Sequence, residues 1–361
     1  MKRKESIDAF RGFTILGMIL VNSPGSWDHV YKPLLHAKWN GCTLADLVFP
    51  FFLFIVGVTI VFAYSKYQQK GIKKIRLLRK AALRMIILFG IGMVLNFLMS
   101  DLKELRIPGV LQRIAIVYFI CSLLFLYAGK RFIIALSLIF LFGYWMLLLW
   151  LPAPGQDVVI LEPGMNIVNW VDSIVIPGKL YQKTWDPEGL LSTITALVTG
   201  ITGMFAGWIM AGTSNSRKKT IQLLTIGASG TIAGLIWSIF FPLNKNLWTS
   251  SYVLFTSGLA FMILTIFDKL LETGKLRKWI IPFIIPGSNA LTIYILHIVL
   301  FYPLCILSVG GIPDVKTLFM NFFGNAGLSM NMVSLLWAIV YTMICYIPGW
   351  YLYRKKIFLK V

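Results

Sequence analysis

The chain has 361 residues, of which 58% are hydrophobic and only 13% are charged, and its formal net charge is +20. Its mean hydropathy is +0.78. These values exclude a soluble nucleic-acid-binding protein, because such a protein would not contain apolar runs of membrane-spanning length. We therefore expect an all-α integral membrane protein whose partner is the lipid bilayer and not a nucleic acid.

Ten apolar runs predict about ten transmembrane helices in a single domain that covers residues 1–361. They are 9–27, 44–65, 80–99, 110–128, 132–151, 190–211, 220–241, 251–271, 282–307 and 331–352. The first run is not followed by a small-residue cleavage site, so we expect it to be retained as a helix.

The basic residues are distributed unevenly over the loops. One alternating set of loops holds 25 Lys and Arg residues, the other holds 8, and Arg113 lies inside the fourth apolar run. By the positive-inside rule this split predicts that both termini are cytoplasmic, as an even number of spans requires. We predict a multi-pass protein of the inner (cytoplasmic) membrane.

Polar and ionisable residues are concentrated in the segment 22–50, between the first two apolar runs, and include His29 and His36, two of only three histidines. Helix-breaking residues interrupt the segment: Pro24, Gly25, Pro33 and Gly41. The apolar run before Asn22 is short for a bilayer, which places Asn22 at membrane depth. Irregular polar backbone is tolerated there only when it is buried in protein or lines a cavity. The segment is therefore the first candidate for a functional site.

The four cysteines, at positions 42, 121, 305 and 345, form no CxxC motif, so they predict neither a disulfide framework nor a metal site. Only Cys42 lies outside an apolar run. We expect it to be a small packing residue; the alternative is a thiol nucleophile activated by the nearby His36.

Eight short motifs occur in order along the chain: SIDAFRG (6–12), VN (21–22), HAKWN (36–40), TLADLVFP (43–50), RIPGVLQR (106–113), DPEGL (186–190), NKNLWTSSY (244–252) and PGSN (286–289). Together they resemble the heparan-α-glucosaminide N-acetyltransferase family of transmembrane acyltransferases. The resemblance runs from Ser6 to the ninth apolar run. It implies acetyl-CoA as co-substrate, an amino-sugar acceptor and no metal, and it leaves the oligomeric state, including a homodimer, open.

The resemblance places the catalytic histidine at His36 and a supporting asparagine at Asn22. Both residue types suit acetyl transfer from a thioester to an amine. Neutral imidazole can accept the amine proton, and a side-chain amide can donate a hydrogen bond to the developing oxyanion. The structural alternative for His36 is an interfacial histidine whose hydrogen bonds are made to backbone.

The predicted substrate-binding residues lie in or near the same motifs: Trp39, Asn40, Asp46, Asp186, Glu188, Asn244, Lys245, Asn289 and His297. Asp46, Asp186 and Glu188 can accept hydrogen bonds from an amino sugar. Helix N-terminal capping is the alternative for Asp46 and Glu188. For His297, inside the ninth apolar run, a pocket residue and a packing residue are both open.

The predicted coenzyme A contacts are Lys80, Arg84 and Arg113. Lys80 and Arg84 belong to a basic cluster at the start of the third apolar run, suited to the phosphates of a nucleotide. A membrane-surface or topological role is the alternative for that cluster. Arg113 inside the membrane needs a partner, and we expect an ion pair with one of the outer carboxylates or a ligand contact.

The resemblance implies an acetyl-CoA-dependent N-acetyltransferase, and the chemistry of the residues above suits it. It would move acetyl from cytoplasmic acetyl-CoA to the amine of a glucosamine-type sugar on the outer side, with His36 as general base. An acetyl-histidine intermediate is an open variant of this route. The alternatives are an O-acetyltransferase of an envelope glycan and, from a different class, an amino-sugar transporter. The chain shows no internal repeat of the kind that many transporters contain.

Overall fold

A computed structural model describes residues 4–100, 105–274, 276–308 and 310–359, and these form α-helices joined by loops, with no strand. Lys2, Arg3, Lys103, Lys275 and Lys360, which contribute to the charge argument above, lie outside the described residues. The helices are α1 (Glu5–Asn22), α2 (Leu44–Gln69), α3 (Lys74–Met99), α4 (Val110–Tyr127), α5 (Lys130–Trp150), α6 (Ile167–Val175), α7 (Ser192–Gly212), α8 (Ser216–Trp237), α9 (Ser250–Thr273), α10 (Arg277–Ser288), α11 (Ala290–Cys305), α12 (Val315–Asn325) and α13 (Met330–Arg354). A 3₁₀ helix, Lys32–Leu34, lies in the loop between α1 and α2.

Eight helices within the described residues are long and apolar enough to cross a membrane: α2, α3, α4, α5, α7, α8, α9 and α13. Counting the pair α10 and α11 as one broken span gives up to nine. The prediction of an all-α multi-pass membrane protein is confirmed. Helix α1 corresponds to the first predicted span and carries three charged residues, Glu5, Asp8 and Arg11. It packs against α2, α9, α10 and α13. The number ten and the cytoplasmic termini stay predictions.

Two predicted spans differ from the observed helices. The first helix ends at Asn22 and not near residue 27, because Pro24 and Gly25 follow. The ninth predicted span is two helices, α10 and α11, which meet at Asn289 with a bend of 73°. Pro286, one turn before the bend, has no backbone N–H to donate, which weakens the helix there.

Glycine contacts hold the central helices close together. A side chain on Gly57 of α2 would overlap the backbone of Gly200 on α7, and Gly207 meets Val61 one to two turns further along. The two helices are therefore parallel and begin at the same end of the bundle. Small residues at such crossings allow the backbones of membrane helices to approach closely.

The bundle has two chemically different ends. At one end, α1 stops at Asn22 and α2, α4, α7 and α9 begin; we name it the His36 end, because the loop 23–43 lies there. At the opposite end α2 stops and α3 begins with the basic residues 73–84; we name it the basic end. About 18 helical residues separate Asp46 from Tyr64 on α2, which corresponds to roughly 27 Å along the helix axis.

Candidate active site

The imidazole of His36 pairs with the carboxylate of Asp46 at the start of α2. Nδ1 of His36 lies 2.7 Å from Oδ1 of Asp46. The His36 side chain is 38% exposed, whereas that of Asp46 is 1% exposed. The buried carboxylate thus orients the imidazole through Nδ1, while part of the ring remains exposed.

The second oxygen of Asp46 is held by the loop that precedes α2. Oδ2 accepts hydrogen bonds from the backbone N–H of Ala37 at 3.0 Å and of Thr43 at 3.1 Å. The Thr43 hydroxyl contacts the same oxygen at 3.1 Å and donates to the Leu35 carbonyl at 2.7 Å. Asp46 and Thr43 form a capping box, so the capping alternative applies to Asp46. The same cap fixes the loop that carries His36.

A third charged group completes this cluster. Nζ of Lys245 lies 3.6 Å from Oδ1 of Asp46 and 3.1 Å from Nδ1 of His36. The Lys245 side chain is only 18% exposed. Burial lowers the pKa of Lys245, and the charge of Asp46 opposes that shift. The shorter contact, from Nδ1 to the Asp46 carboxylate, favours a proton on Nδ1 and a free lone pair on Nε2 of His36, whereas the Lys245 ammonium is a competing donor to Nδ1.

Lys245 is positioned by contacts between two loops, 23–43 and 238–249. Nδ2 of the buried Asn244 donates to Oδ1 of Asn40 at 3.1 Å, and the N–H of Gly41 donates to the Leu243 carbonyl at 2.7 Å. Oδ1 of Asn244 accepts from the N–H of Leu247 at 2.9 Å. Asn40 and Asn244, both predicted as substrate contacts, therefore connect the loops that bring Lys245 to His36.

The thiol of Cys42 lies beside the cluster but is not poised as a nucleophile. Burial raises its pKa to about 12, and the negative charge of Asp46 acts in the same direction. A nucleophilic cysteine needs a lowered pKa. The raised pKa therefore favours the packing interpretation of Cys42.

The predicted carboxylates Asp186 and Glu188 are held by Arg106. Its Nε and one terminal nitrogen bond the two oxygens of Asp186 at 2.7 and 2.6 Å, and that nitrogen also contacts Glu188. The N–H groups of Tyr181 and Glu188 donate to Asp186 as well. Burial acts to raise the pKa of Asp186, but its bonds to Arg106 outweigh this and lower it. All acceptor positions of Asp186 are thereby engaged.

Among the described residues, Arg113 forms no ion pair with a carboxylate, and the predicted alternative of a ligand contact stays a prediction. Arg113 is fully buried on α4, and one nitrogen donates to the Gly189 carbonyl at 2.9 Å and to the Ser192 hydroxyl. Its guanidinium carbon lies 5.1 Å from the ring centre of Trp248. Arg106 is closer to the carboxylates, so it pairs with them instead. Nε and the remaining nitrogen of Arg113 have no acceptor among the described residues.

Trp39 and Asn22 occupy different surroundings at the His36 end. The indole N–H of the buried Trp39 donates to the Leu161 carbonyl at 2.9 Å, and its ring packs edge-on against Trp185. Asn22, the last residue of α1, is exposed. Within the described ranges its side chain forms no hydrogen bond to His36 or Asp46, so its amide is available to a ligand.

Two predicted substrate contacts lie apart from this cluster. Asn289, at the bend between α10 and α11, donates to the Ile357 carbonyl at 3.0 Å and accepts from the N–H of Leu359 at 2.9 Å. Asn289 therefore connects the bend between α10 and α11 to the segment that follows α13. His297 on α11 is buried against the ring of Tyr341, whose hydroxyl donates to the His297 carbonyl. The structure does not bring either residue to His36.

Comparisons with known proteins match the motifs that surround His36. The family model described as heparan-alpha-glucosaminide N-acetyltransferase, catalytic, matches residues 3–160. Human heparan-alpha-glucosaminide N-acetyltransferase is 32% identical over 418 aligned residues, covering 99% of this chain and 60% of the human protein. The mouse protein of the same name is 30% identical, with the same coverage of 99% and 60%.

The chain is similar to the heparan-α-glucosaminide N-acetyltransferases along 99% of its length. It spans about 60% of the length of the curated relatives it matches. The segment matched by the catalytic family model contains His36, Asp46, Arg84 and Arg113. Lys245 lies beyond that segment and reaches the cluster through the folded loops.

The basic end of the bundle also has cations that lie over aromatic rings. The guanidinium of Arg84 lies 4.8 Å from the ring centre of Tyr118, and Nζ of Lys80 lies 5.8 Å from that of Tyr67. Two further pairs, Lys74 with Tyr127 and Lys130 with Trp208, have separations of 5.7 and 5.0 Å. Both predicted nucleotide contacts at this end, Lys80 and Arg84, therefore lie over aromatic rings.

Sequence reasoning missed two residues that organise the His36 end. Arg106 opens the motif RIPGVLQR but was not distinguished from other loop cations. Tyr252 closes the motif NKNLWTSSY, and its hydroxyl donates to the backbone carbonyl of Asp46. A basic residue before a Pro-Gly turn, followed along the chain by a DPEG segment, is the signal that could have identified Arg106.

Proposed function

We propose that the chain is a transmembrane N-acetyltransferase that moves acetyl from acetyl-CoA to the amine of a glucosamine-type sugar, with His36 as general base. The observation that carries this proposal is the pairing of Nδ1 of His36 with the buried carboxylate of Asp46 at 2.7 Å. A histidine oriented in this way through one nitrogen presents the other as a proton acceptor. The names of the human and mouse relatives support the reaction class.

In the proposed reaction the sugar amine attacks the carbonyl carbon of the thioester. Nε2 of His36 accepts the amine proton, and Asp46 stabilises the imidazolium that forms. The exposed amide of Asn22 is the candidate donor to the oxyanion of the tetrahedral intermediate. When that intermediate collapses, the coenzyme A thiolate leaves and is protonated by His36.

Lys245 has a supporting part in this proposal. Its ammonium group partly neutralises Asp46, from which it is separated by 3.6 Å. A cation at this position acts against excessive stabilisation of the imidazolium by Asp46 and so favours release of the proton. Lys245 is therefore proposed as a positioning residue and not as a sugar contact.

The basic end is the proposed site for the nucleotide of acetyl-CoA. Arg84 and Lys80 offer charge to phosphates, while Tyr118 and Tyr67 offer faces on which an adenine can stack. The excess of Lys and Arg at this end supports a cytoplasmic location in the inner membrane. The acetyl group must then travel roughly 27 Å along α2 to His36. An extended donor arm must span that distance in either route, because an acetyl-histidine intermediate also forms only when the thioester reaches His36.

A coupled assay tests the proposal on detergent-purified protein. Acetyl-CoA is supplied with and without glucosamine, and both free thiol and N-acetylglucosamine are measured. Thiol release that depends on glucosamine is the expected result. His36→Ala should lower the rate by about 10²–10⁴-fold, whereas His29→Ala, in the same loop, should not.

The same assay separates the rival functions. Acetyl transfer to hydroxyl groups of a glycan, with none to glucosamine, would indicate O-acetylation. Uptake of amino sugar without any thiol release would indicate a transporter. Acetyl label that remains on the protein after acetyl-CoA is removed, and is lost in His36→Ala, would indicate the acetyl-histidine route.

A further inference from the structure

A groove with apolar walls opens beside the His36–Asp46 pair, between the first turns of α2 and the first half of α9. Its volume is about 540 Å³, within the range of small-molecule sites. The walls are formed by Leu44, Leu47, Phe255 and Leu259. Leu44 is 60% exposed, so the groove begins at the surface of the bundle.

The groove is continuous with the candidate active site. Cys42 and Thr43 also line it, and Thr43 is the residue whose N–H and hydroxyl contact the Asp46 carboxylate. A molecule with one end in the groove can therefore place its other end at the loop that carries His36.

On the side of the basic end, the groove residues Leu47 and Leu259 pack against a buried aromatic cluster. Four aromatic side chains from α1, α2 and α9 form this cluster, with ring separations of 5.0 to 6.4 Å: Phe10, Phe51, Phe54 and Phe261. This packing separates the groove from the basic end, where the nucleotide of the donor is proposed to bind. The occupant of the groove must therefore arrive from the His36 end or sideways from the bilayer.

One of the residues that line the groove is a lysine. Lys32 is exposed, and it forms no ion pair within the part of the chain that the structure describes. Apolar walls can bind the hydrocarbon tail of an amphiphile, and an ammonium group beside them can bind an anionic group next to that tail. A lipid phosphate is such an anionic group.

We propose that the acceptor is a lipid-linked amino sugar, whose hydrocarbon tail lies in the groove between α2 and α9 while its amine reaches His36. This inference rests on the proposed N-acetyltransferase function and adds the class of acceptor. Membrane-embedded acceptors concentrate at the site because their tails partition from water into the bilayer and the groove.

The test uses alkyl glucosaminides of increasing chain length as acceptors, with the full-length protein in nanodiscs. For the wild type, the apparent KM should fall with chain length, by up to about fourfold for each added methylene. Leu47→Trp and Leu259→Trp, which fill the groove, should flatten this dependence, so that the apparent KM values for long-chain and methyl glucosaminides approach each other. Ile266→Trp, on the exposed face of α9 outside the groove, controls for simple partitioning into the bilayer.

A second readout does not need acetyl transfer. An octyl glucosaminide with a diazirine at the end of its chain should label Leu47, Phe255 or Leu259 on irradiation, as mapped by peptide mass spectrometry. Unlabelled octyl glucosaminide should compete, and glucosamine should not. A phosphate between sugar and tail should tighten binding, and Lys32→Gln should remove that gain.

The outcomes separate the two proposals. Transfer to short acceptors with no dependence on chain length overturns the lipid-linked acceptor and leaves the N-acetyltransferase standing. Labelling of the groove without transfer to any acceptor overturns the N-acetyltransferase instead. Labelling elsewhere, or protection of the groove by coenzyme A alone, overturns the assignment of the groove to the acceptor.

Discussion

Nδ1 of His36 lies 2.7 Å from Oδ1 of Asp46, and the other oxygen of that carboxylate caps the first turn of α2. Asp46 therefore has both of the roles that its sequence position allowed: it caps α2, and it contacts the candidate catalytic histidine. Because both oxygens already accept hydrogen bonds, little acceptor capacity remains for a sugar. We therefore infer that Asp46 contributes to the proposed chemistry by orienting His36.

The first prediction concerns Asp46→Asn. The amide keeps the size of the side chain, but its NH₂ group cannot accept the Nδ1–H of His36, so the imidazole loses its orientation. We expect the rate of acetyl transfer to fall by about 10²–10⁴-fold, with the protein still eluting as a folded species. Asp28→Asn, an exposed aspartate in the same loop, is the matched control. A near-normal rate in Asp46→Asn would remove the pair from the mechanism.

The second prediction concerns Cys42→Ser. Burial raises the thiol pKa to about 12, so at pH 7 only about one thiol in 10⁵ is ionised. We expect Cys42→Ser to keep acetyl transfer within about twofold of the wild type, and iodoacetamide to leave Cys42 unmodified at neutral pH. Rapid alkylation of Cys42 that abolishes turnover would instead restore the thiol as a nucleophile.

The helices were the most predictable part of the structure. Long apolar runs are typical of membrane-spanning helices, and the bounds of the predicted runs for α4, α5, α7 and α9 agree with the observed helices to within about two residues. The short helices α6 and α12 were not predicted, because they lie in loops where hydropathy carries little signal. The break at Asn289 depends on Pro286 and on packing of α10 against α1, which an apolar run does not reveal.

The sequence predicted which residues belong to the candidate site better than it predicted which of them contact each other. His36, Asp46 and Lys245 were all identified as candidates, yet their mutual contacts arise from loops 23–43 and 238–249, which are distant in sequence. The partner of Asp186 is Arg106 and not Arg113, because loop geometry decides which cation reaches a carboxylate. Such pairings depend on tertiary structure. The single domain over residues 1–361 stays a prediction.

The third prediction uses Asp172 on the short helix α6. Its carboxylate is buried and accepts hydrogen bonds from the N–H of Leu190 at 2.8 Å and of Leu191 at 3.4 Å. Burial raises its pKa to about 6 from 3.8, although these N–H groups act to lower it. The folded state thus binds this proton more tightly than the unfolded state. Its contribution to stability is fully present below about pH 4 and is lost as the pH rises through 6.

Asp172→Asn should remove this dependence on pH. The expected contribution is about 3 kcal/mol at most, for a shift of about two units. Thermal unfolding midpoints in detergent, measured between pH 4.5 and pH 7.5, should fall with rising pH in the wild type and stay flatter in Asp172→Asn. Asp157→Asn, an exposed aspartate in the same loop, should behave like the wild type. A variant as pH-dependent as the wild type would contradict the prediction.

The last prediction separates the two ends of the molecule. Neutralising Arg84, which lies over the ring of Tyr118, should raise the apparent KM for acetyl-CoA by about three- to tenfold. The increase should be larger at low salt, where the charge is least screened. The KM for the amine acceptor should hardly change, because His36 lies at the opposite end of α2. Lys278→Gln, an exposed cation near the basic end, is the matched control.

Sealed vesicles of known orientation then test the direction of transfer. If the nucleotide binds at the basic end and the amine at the His36 end, acetyl-CoA should act only from the cytoplasmic side and the acceptor only from the other. The positive-inside rule alone would produce the same distribution of charge, so the charge count cannot decide between binding and topology. Turnover with both substrates confined to the cytoplasmic side would mean that the His36 loop is reached from that side. It would also mean that Arg84 affects the KM for some reason other than its place at the entrance for the donor.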